Sequence, residues 1–346
     1  MPDPARPSGP ATPRFIRFLA LALFAGLSVP SHFAAAAPTA GQQSTRSVLD
    51  GVVRVQTRVA PTARSARTLG AERDGSGIVI DASGLVLTVG YLLLEADEAE
   101  VGLPDGRKIA AKPLAYDHET GFGLLRALKP LGVKPIELGS SDGIVANEQV
   151  LVAAYGGQSM AMPALVVSRR TFAGPWEYLM ENAIFTSPPH PAFGGAALLT
   201  ATGRLIGVGS LFVGDAAGPE QAVAGNMFIP IDRLKPILAD LLDSGRSAGP
   251  RRPWLGLYSE EIRGRLFVTR LAPGGPAEGA GIKPGDLVLG VGGKPVTGLA
   301  EFYRTLWSLG AAGVSVPLDV LHGAAVTRIS VKSGDRYEWI KRSRSY

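Results

Sequence analysis

Short apolar runs separated by turn residues dominate the chain beyond residue 50. Residues 78–80 and 85–87 are apolar runs on either side of Asp-Ala-Ser-Gly, in which Asp can bond its own backbone and Gly accepts a positive φ. Pro104-Asp105-Gly106 separates another such pair, and similar runs occupy residues 52–55, 149–154, 165–168 and 182–186. The pattern predicts a mostly β protein built from hairpins. Residues 60–74, rich in Arg, Ala and Thr, are expected to form an exposed loop.

Helical spacing occurs in two places. Apolar residues recur at helical intervals from Ile231 to Leu242, with Asp232 as a possible N-cap and Gly245 as a stop. A second stripe predicts a helix over residues 299–309, which strands over 314–320 and 326–331 should follow.

Composition narrows the class of protein. The chain has 346 residues, of which 46% are hydrophobic and 19% charged, with Gly 44 and Pro 27, which suits two or three β-rich domains. The net charge is +5, and about +3 without residues 1–37, which is too small and too evenly spread to argue for a nucleic-acid partner. Cys 0 excludes disulfides and thiol chemistry. The four His lack ligand spacing, so neither a metal nor a cofactor is expected.

The N-terminus has the three regions of a secretory signal peptide. Arg14 and Arg17 precede the apolar run 18–29, and the small-residue stretch 34–37 follows. We expect residues 1–37 to be removed on export to the periplasm or cell envelope of a bacterium, which leaves no membrane span. Retention of the apolar segment as an anchor is the alternative. Residues 38–47 are expected to be a linker.

Residues 75–94 (GSGIVIDASGLVLTVGYLLL) resemble the first barrel of HtrA-type trypsin-like serine proteases. In that family a GSG strand, a DxxG turn and a GxxLT strand lead to a short helical turn that carries the catalytic histidine. The resemblance continues through residues 116–126, 187–208 and 225–231. It implies a trypsin-like double six-stranded β-barrel over residues 48–245, followed by a linker at 246–253.

The same resemblance places the catalytic triad on residues that cannot perform its chemistry. Tyr91 stands at the histidine position and Gly121 at the aspartate position. The serine position falls on Phe193 if the Gly-Gly pair is matched, or on Gly194 if the count runs back from Gly203 without a gap. In the first frame Pro191 replaces a glycine whose N–H helps to form the oxyanion hole; in the second, Ala192 keeps that donor. No catalytic residue is therefore expected to be intact.

Residues 254–333 resemble a PDZ domain, through Trp254-Leu255-Gly256-Leu257, PGGPAEGAGIKPG at 273–285 and the strand 286–291. The resemblance implies that a peptide adds to the sheet edge while loop N–H groups hold its terminal carboxylate. Phe302 and Leu306 either line the pocket for an apolar side chain or simply fill the core. The predicted peptide-binding residues are Leu255, Gly256, Leu257, Tyr258, Phe302 and Leu306. The tail 334–346 matches no motif.

These observations support three hypotheses. The first is a non-catalytic HtrA-like scaffold or quality-control factor that binds peptide or protein C-termini with apolar ends. The second is a divergent but active serine endopeptidase. The third is a regulatory subunit in mixed oligomers with active homologues. Members of the family commonly form trimers, so a homo-oligomer is a further expectation.

Overall fold

The computed structural model describes residues 48–341. The predicted signal peptide and the linker 38–47 lie outside the described residues, as does the end of the tail. Among residues 48–341, none of the helices combines the length and the apolar character needed to cross a bilayer.

The first six strands close into an antiparallel barrel in the order β1-β2-β3-β6-β5-β4. They are β1 (Val52–Val59), β2 (Glu72–Val79), β3 (Leu85–Val89), β4 (Ala96–Gly102), β5 (Lys108–Tyr116) and β6 (Phe122–Ala127). The predicted hairpin at residues 78–87 is confirmed, because Ile78 pairs with Leu87 and Val79 with Val86.

A second closed barrel has the order β10-β11-β12-β9-β8-β7. Its strands are β7 (Gln149–Ala153), β8 (Ala161–Gly174), β9 (Tyr178–Ser187), β10 (Ala197–Leu199), β11 (Leu205–Val213) and β12 (Gly225–Pro230). The long β8 and β9 form a hairpin that extends beyond the barrel wall. The double barrel predicted from the sequence is thus confirmed.

The exposed loop predicted for residues 60–74 is wrong in its second half. Helix α1 (Ala66–Leu69) lies there, and β2 already begins at Glu72. Arg73 is only 6% exposed, and its Nη1 donates to the carbonyls of Tyr91 at 2.7 Å and Leu94 at 2.6 Å. Burial lowers the pKa of this guanidinium, which nevertheless stays charged because its ordinary value is 12.5.

The helix predicted from Ile231 onward is broken in two. A 3₁₀ turn (Ile231–Arg233) precedes helix α2 (Leu238–Ser244), because Pro236 lacks the N–H that a continuous helix requires. Gly245, at φ 74°, ends α2 as predicted. Asp232 is not an N-cap for α2; its carboxylate accepts from the Oγ atoms of Ser140 and Ser141 and pairs with Lys235.

The C-terminal module contains a sheet in the order β13-β14-β15-β17-β18, with β16 paired to β15. Its strands are β13 (Leu257–Ile262), β14 (Arg265–Leu271), β15 (Leu287–Val291), β16 (Lys294–Pro295), β17 (Ser315–His322) and β18 (Ala325–Lys332). Helices α3 (Pro276–Gly279) and α4 (Leu299–Ser308) complete it. The predicted helix and the two strands that follow it are confirmed, and β13 forms one edge of the sheet.

The tail has structure that the sequence did not predict. Helix α5 (Arg336–Lys341) lies against the first barrel and the C-terminal module. Tyr337 donates its hydroxyl to the carboxylate of Asp117 at 3.1 Å, and the Trp339 ring lies 4.8 Å from that of Trp254. The tail therefore joins the two parts of the chain.

The two barrels touch through backbone atoms. The amide of Ser76 donates to the carbonyl of Gly194 at 2.8 Å, and Gly195 adopts φ +76° beside it. A Cβ atom on Gly195 would lie 1.9 Å from the carbonyl oxygen of Ser76. Only glycine fits at this contact, because a side chain would force the barrels apart.

Replacing Gly195 should therefore destabilise the whole fold. We expect Gly195→Ala to lower the free energy of unfolding by about 3 kcal/mol or more, since the collision adds to the left-handed strain. The matched control is Gly106→Ala, which shares a positive φ of 87° but meets nothing within 4 Å. The control should lose only about 1–2 kcal/mol. Urea denaturation measures both, and equal losses would contradict the backbone-contact argument.

Candidate functional site

Tyr91 lies in the cleft between the two barrels. The 3₁₀ turn Gly90–Leu92 that follows β3 carries it, and its hydroxyl donates across the cleft to the carbonyl of Ser210 at 3.2 Å. Burial raises the pKa of Tyr91 to about 12. The phenol is therefore neutral at physiological pH and cannot accept a proton from a nucleophile.

Gly194 is the residue that faces Tyr91. A Cβ atom on Gly194 would lie 2.7 Å from the Tyr91 hydroxyl oxygen. The carbonyl of Phe193 instead accepts from the amide of Ala196 at 3.0 Å and packs toward Gly209. Of the two candidate serine positions, the geometry favours Gly194.

Gly121 lies beside the Tyr91 turn, since its carbonyl accepts from the amide of Gly90 at 2.7 Å. It has φ +84°, and a Cβ atom there would lie 3.1 Å from the hydroxyl oxygen of Tyr178. Tyr178 donates to the carbonyl of Thr120 at 2.8 Å, so a phenol fills the space beside Gly121. The fold thus brings Tyr91, Gly121 and Gly194 to one cleft, and none of these side chains is a nucleophile or a base.

His190 accepts the hydrogen bond of the Ala192 amide. This amide is the donor that would remain for an oxyanion hole if Gly194 stands at the serine position. The amide of Ala192 donates to Nδ1 of His190 at 3.1 Å, and Nε2 of His190 lies 3.2 Å from the carbonyl of Met160. These contacts assign the ring proton to Nε2. Burial lowers the pKa of His190, which favours this neutral form. The Ala192 amide is therefore bonded within the chain.

His118 does not form a catalytic dyad with Asp117. Its ring nitrogens are buried and lack a hydrogen-bond partner among the described residues, and the ring lies between those of Tyr116 and Tyr337. The Asp117 carboxylate instead accepts from the amide and hydroxyl of Thr120. Burial and the positive charge of Arg336 hold the pKa of His118 well below its usual range. Over residues 48–341, no three acidic or His side chains are grouped so that they could hold a metal ion.

Three backbone amides at the start of β13 converge on one carboxylate. The amides of Gly256 and Leu257 donate to Oε1 of Glu177 at 2.6 and 2.8 Å, and that of Leu255 donates to Oε2 at 3.0 Å. Gly256, at φ +79°, allows the amides to point the same way. The loop that the sequence singled out thus binds a carboxylate, and this one belongs to the turn between β8 and β9.

The remaining predicted peptide-binding residues fall into two groups. Phe302 and Leu306 on α4 are 1% and 0% exposed, within an apolar cluster that also contains Leu179 of β9. The Tyr258 ring lies beneath the guanidinium of Arg270, 3.5 Å from it, toward the surface. In this arrangement the two α4 residues belong to the core.

Sequence reasoning missed Glu177 and Tyr303. The Tyr303 hydroxyl donates to the carbonyl of Gly174 at 2.7 Å and accepts from the amide of Glu177 at 3.2 Å. The local sequence around Glu177 shows only one acidic residue after Gly174-Pro175-Trp176. An ordinary exposed hairpin could contain the same residue, so it does not indicate a buried site. Its partners lie 78 or more positions away in the chain.

The environment of Glu177 perturbs its ionisation. Burial raises the pKa of Glu177 from 4.5 to about 7, although the three amides and the positive charge of Arg336 oppose that rise. The neighbouring Tyr303 hydroxyl stays neutral, because burial raises its pKa. The folded protein therefore binds a proton at Glu177 between pH 4.5 and 7 that the unfolded chain does not bind.

This difference predicts a measurable pH dependence of stability. The stability contributed by Glu177 should fall as pH rises through that window, by about 3 kcal/mol in total. The comparison is with Glu177→Gln, which cannot titrate: wild type should lose stability relative to this variant between pH 5 and 8. His118 and His190 have lowered pKa values and act in the opposite direction, but they are common to both proteins and cancel. Urea denaturation at both pH values tests this, and a constant difference would contradict it.

The chain matches two family models, a trypsin-like peptidase domain over residues 75–208 and a PDZ domain over residues 267–320. It is 26% identical to the periplasmic pH-dependent serine endoprotease DegQ of Escherichia coli, over 90% of this chain and 76% of the relative. It is 28% identical to a probable periplasmic serine protease of Haemophilus influenzae, over 75% of this chain and 57% of the relative. It is 27% identical to the periplasmic serine endoprotease DegP of Salmonella typhimurium, over 73% of this chain and 55% of the relative. The chain thus spans little more than half the length of the last two.

Solved structures agree in fold. A serine endoprotease from Yersinia pestis superposes with a TM-score of 0.50 at 21% identity, covering 87% of this chain and 99% of its own. The HtrA-type protease AlgW with a decapeptide gives a TM-score of 0.52 at 20% identity, covering 84% and 98%. The trypsin-like peptidase domain and the PDZ domain that the resemblance to HtrA-type proteases implies are thus both confirmed, in the expected order along the chain.

Proposed function

We propose that this protein is a non-catalytic HtrA-type binding protein of the bacterial envelope, which captures the C-termini of peptides or proteins through its PDZ domain. The observation that carries this proposal is the convergence of the Leu255, Gly256 and Leu257 amides on one carboxylate. A terminal carboxylate presents the same two oxygens to such a loop. We infer apolar end residues because Phe302 and Leu306 belong to an apolar cluster that Leu179 of the β8–β9 hairpin also shares.

The absence of catalysis is proposed from the cleft. A serine nucleophile needs a base, the base needs an orienting group, and the transition state needs amide donors. The nucleophile, the base and the orienting group are all missing at Tyr91, Gly121 and Gly194. The Ala192 amide, a candidate donor to the transition state, is bonded to His190.

The envelope location is proposed from two supports. The first 37 residues have the charged, apolar and small-residue order of a secretory signal. The curated relatives described above are named as periplasmic proteins. In that compartment the proposed ligands are exposed C-termini of other proteins.

Capture of a carboxylate predicts that the state of the peptide terminus decides binding. Residues 38–346 should bind free-acid peptides with apolar ends, and amidation of the same peptides should weaken binding by about tenfold or more, because a charge-assisted contact to the loop is lost. Fluorescence anisotropy with a C-terminal peptide library measures this. Equal affinity for amidated and free-acid forms would count against carboxylate capture.

The second prediction is the absence of serine protease activity. Unfolded casein should stay intact, and a fluorophosphonate probe should not label the protein. Single substitutions Tyr91→His, Gly121→Asp or Gly194→Ser should remain silent, because each group acts only with the others. Even the triple variant should be weak, since an Asp at position 121 must adopt φ +84° against the Tyr178 hydroxyl.

Ser187 provides the control for this prediction. Its hydroxyl donates to the carbonyl of Ala224 at 2.9 Å. Cleavage of casein by the unmodified protein that a serine-directed inhibitor blocks, and that Ser187→Ala of equal purity lacks, would overturn the proposal.

A further inference from the structure

The turn Pro175-Trp176-Glu177 is an unusual hairpin tip, because its acidic residue is buried. Hairpin tips normally project into water, and a carboxylate leaves water only when donors replace the lost hydration. Glu177 is 6% exposed and adopts φ +55°, a left-handed conformation that costs a non-glycine residue about 1–2 kcal/mol. The surroundings must therefore stabilise this conformation.

The Glu177 carboxylate takes the place that a peptide terminus would take. Both of its oxygens accept N–H groups from the loop before β13, at distances of 2.6 to 3.2 Å. A second carboxylate cannot use the same amides at the same time. Occupation by Glu177 and occupation by a peptide terminus are therefore mutually exclusive.

The backbone of the turn also follows the course of a bound peptide. The carbonyl of Pro175 accepts from the amide of Ser259, on the edge strand β13, at 3.0 Å. From there the chain runs toward the loop at 255–257, so it approaches the carboxylate site in the direction that a C-terminal peptide does. On the opposite wall of the groove, Tyr303 of α4 bonds Gly174 and Glu177.

The contacts are concentrated at the tip. Further along the hairpin, an open cleft remains between Thr171 and Ala173 on β8 and Leu299 and Ala300 on α4. The Arg304–Glu181 pair that bridges this region is half-exposed and contributes about 0–1 kcal/mol. A small number of hydrogen bonds at the tip, together with the packing of Leu179 in the apolar cluster of the PDZ domain, thus hold the hairpin in the groove.

We propose that the β8–β9 hairpin is an intramolecular ligand of the PDZ groove, and that a peptide C-terminus binds only when it displaces Glu177 from the loop at 255–257. This inference rests on the proposed capture of C-termini by the PDZ domain and adds its regulation: the second barrel closes the site, and release of the hairpin opens it. The hairpin and the peptide compete for the same amides.

If Glu177 and the peptide compete for the loop amides, removal of the Glu177 carboxylate should raise the affinity for the peptide C-terminus. The apparent dissociation constant rises in inverse proportion to the open fraction, so a site closed in about 90–99% of molecules gains about 10- to 100-fold on opening. The test uses residues 38–346 and a fluorescein-labelled ten-residue peptide that ends in three valines with a free carboxylate. We expect Glu177→Ala to bind it at least about tenfold more tightly than wild type.

Glu181→Ala is the matched control. It removes a carboxylate from the same hairpin, but one that pairs with Arg304 outside the loop. Its affinity for the peptide should stay within about fivefold of wild type, since the pair contributes at most about 1 kcal/mol. Tyr303→Phe is a second opening variant that keeps the aromatic ring and loses only the hydroxyl that bonds Gly174 and Glu177, and it should also tighten binding.

The outcomes separate this inference from the proposed function. If wild type, Glu177→Ala and Tyr303→Phe bind the peptide with equal affinity, the hairpin does not compete and the inference is overturned, while capture of C-termini stands. If all of them are folded by circular dichroism and none binds, capture itself fails and the inference fails with it. Weaker binding by folded Glu177→Ala also overturns the inference.

Discussion

The burial of one carboxylate determines how the second barrel and the PDZ domain are joined. Glu177 needs donors because it has left water, and the amides of Leu255, Gly256 and Leu257 need an acceptor because the loop turns them away from the sheet. The carboxylate and the amides therefore satisfy each other's hydrogen-bonding groups. An apolar contact alone would allow sliding between the two domains, whereas bonds to three successive amides fix one register.

The tail reinforces this junction. Arg336 donates to the carbonyl of Trp176 at 3.2 Å, and its positive charge also acts on Glu177. On the other side of α5, Tyr337 bonds Asp117 of the first barrel. Helix α5 therefore contacts both barrels, and the ring of Trp339 on that helix also lies against Trp254 of the PDZ domain.

The helices and strands could be predicted because turn residues and apolar spacing are local in the sequence. The site could not, because its residues bond partners that are distant in the sequence. The 78–87 hairpin and α4 follow from turn residues and apolar spacing within a dozen positions, so the sequence alone identifies them. Asp232, predicted as a cap, bonds serines some 90 positions away, and Arg73, predicted in an exposed loop, is buried against the Tyr91 turn. The resemblance gave Tyr91, Gly121 and either Phe193 or Gly194 as the triad positions, and only the packing in the structure shows that Gly194 is the one that lies against Tyr91. Glu177 had no local signal, since its partners belong to another domain.

The barrels are held together by backbone contacts, by side-chain bonds such as that from Tyr178 to Thr120, and by a shared apolar cluster, and none of these needs a catalytic group. Gly195 packs on the carbonyl of Ser76, and the Thr88 hydroxyl donates to that same carbonyl at 2.7 Å. These contacts do not depend on a nucleophile, a base or an orienting group at positions 91, 121 or 194. The β8–β9 hairpin belongs to the second barrel, and its acidic turn contacts the loop at 255–257 of the PDZ domain.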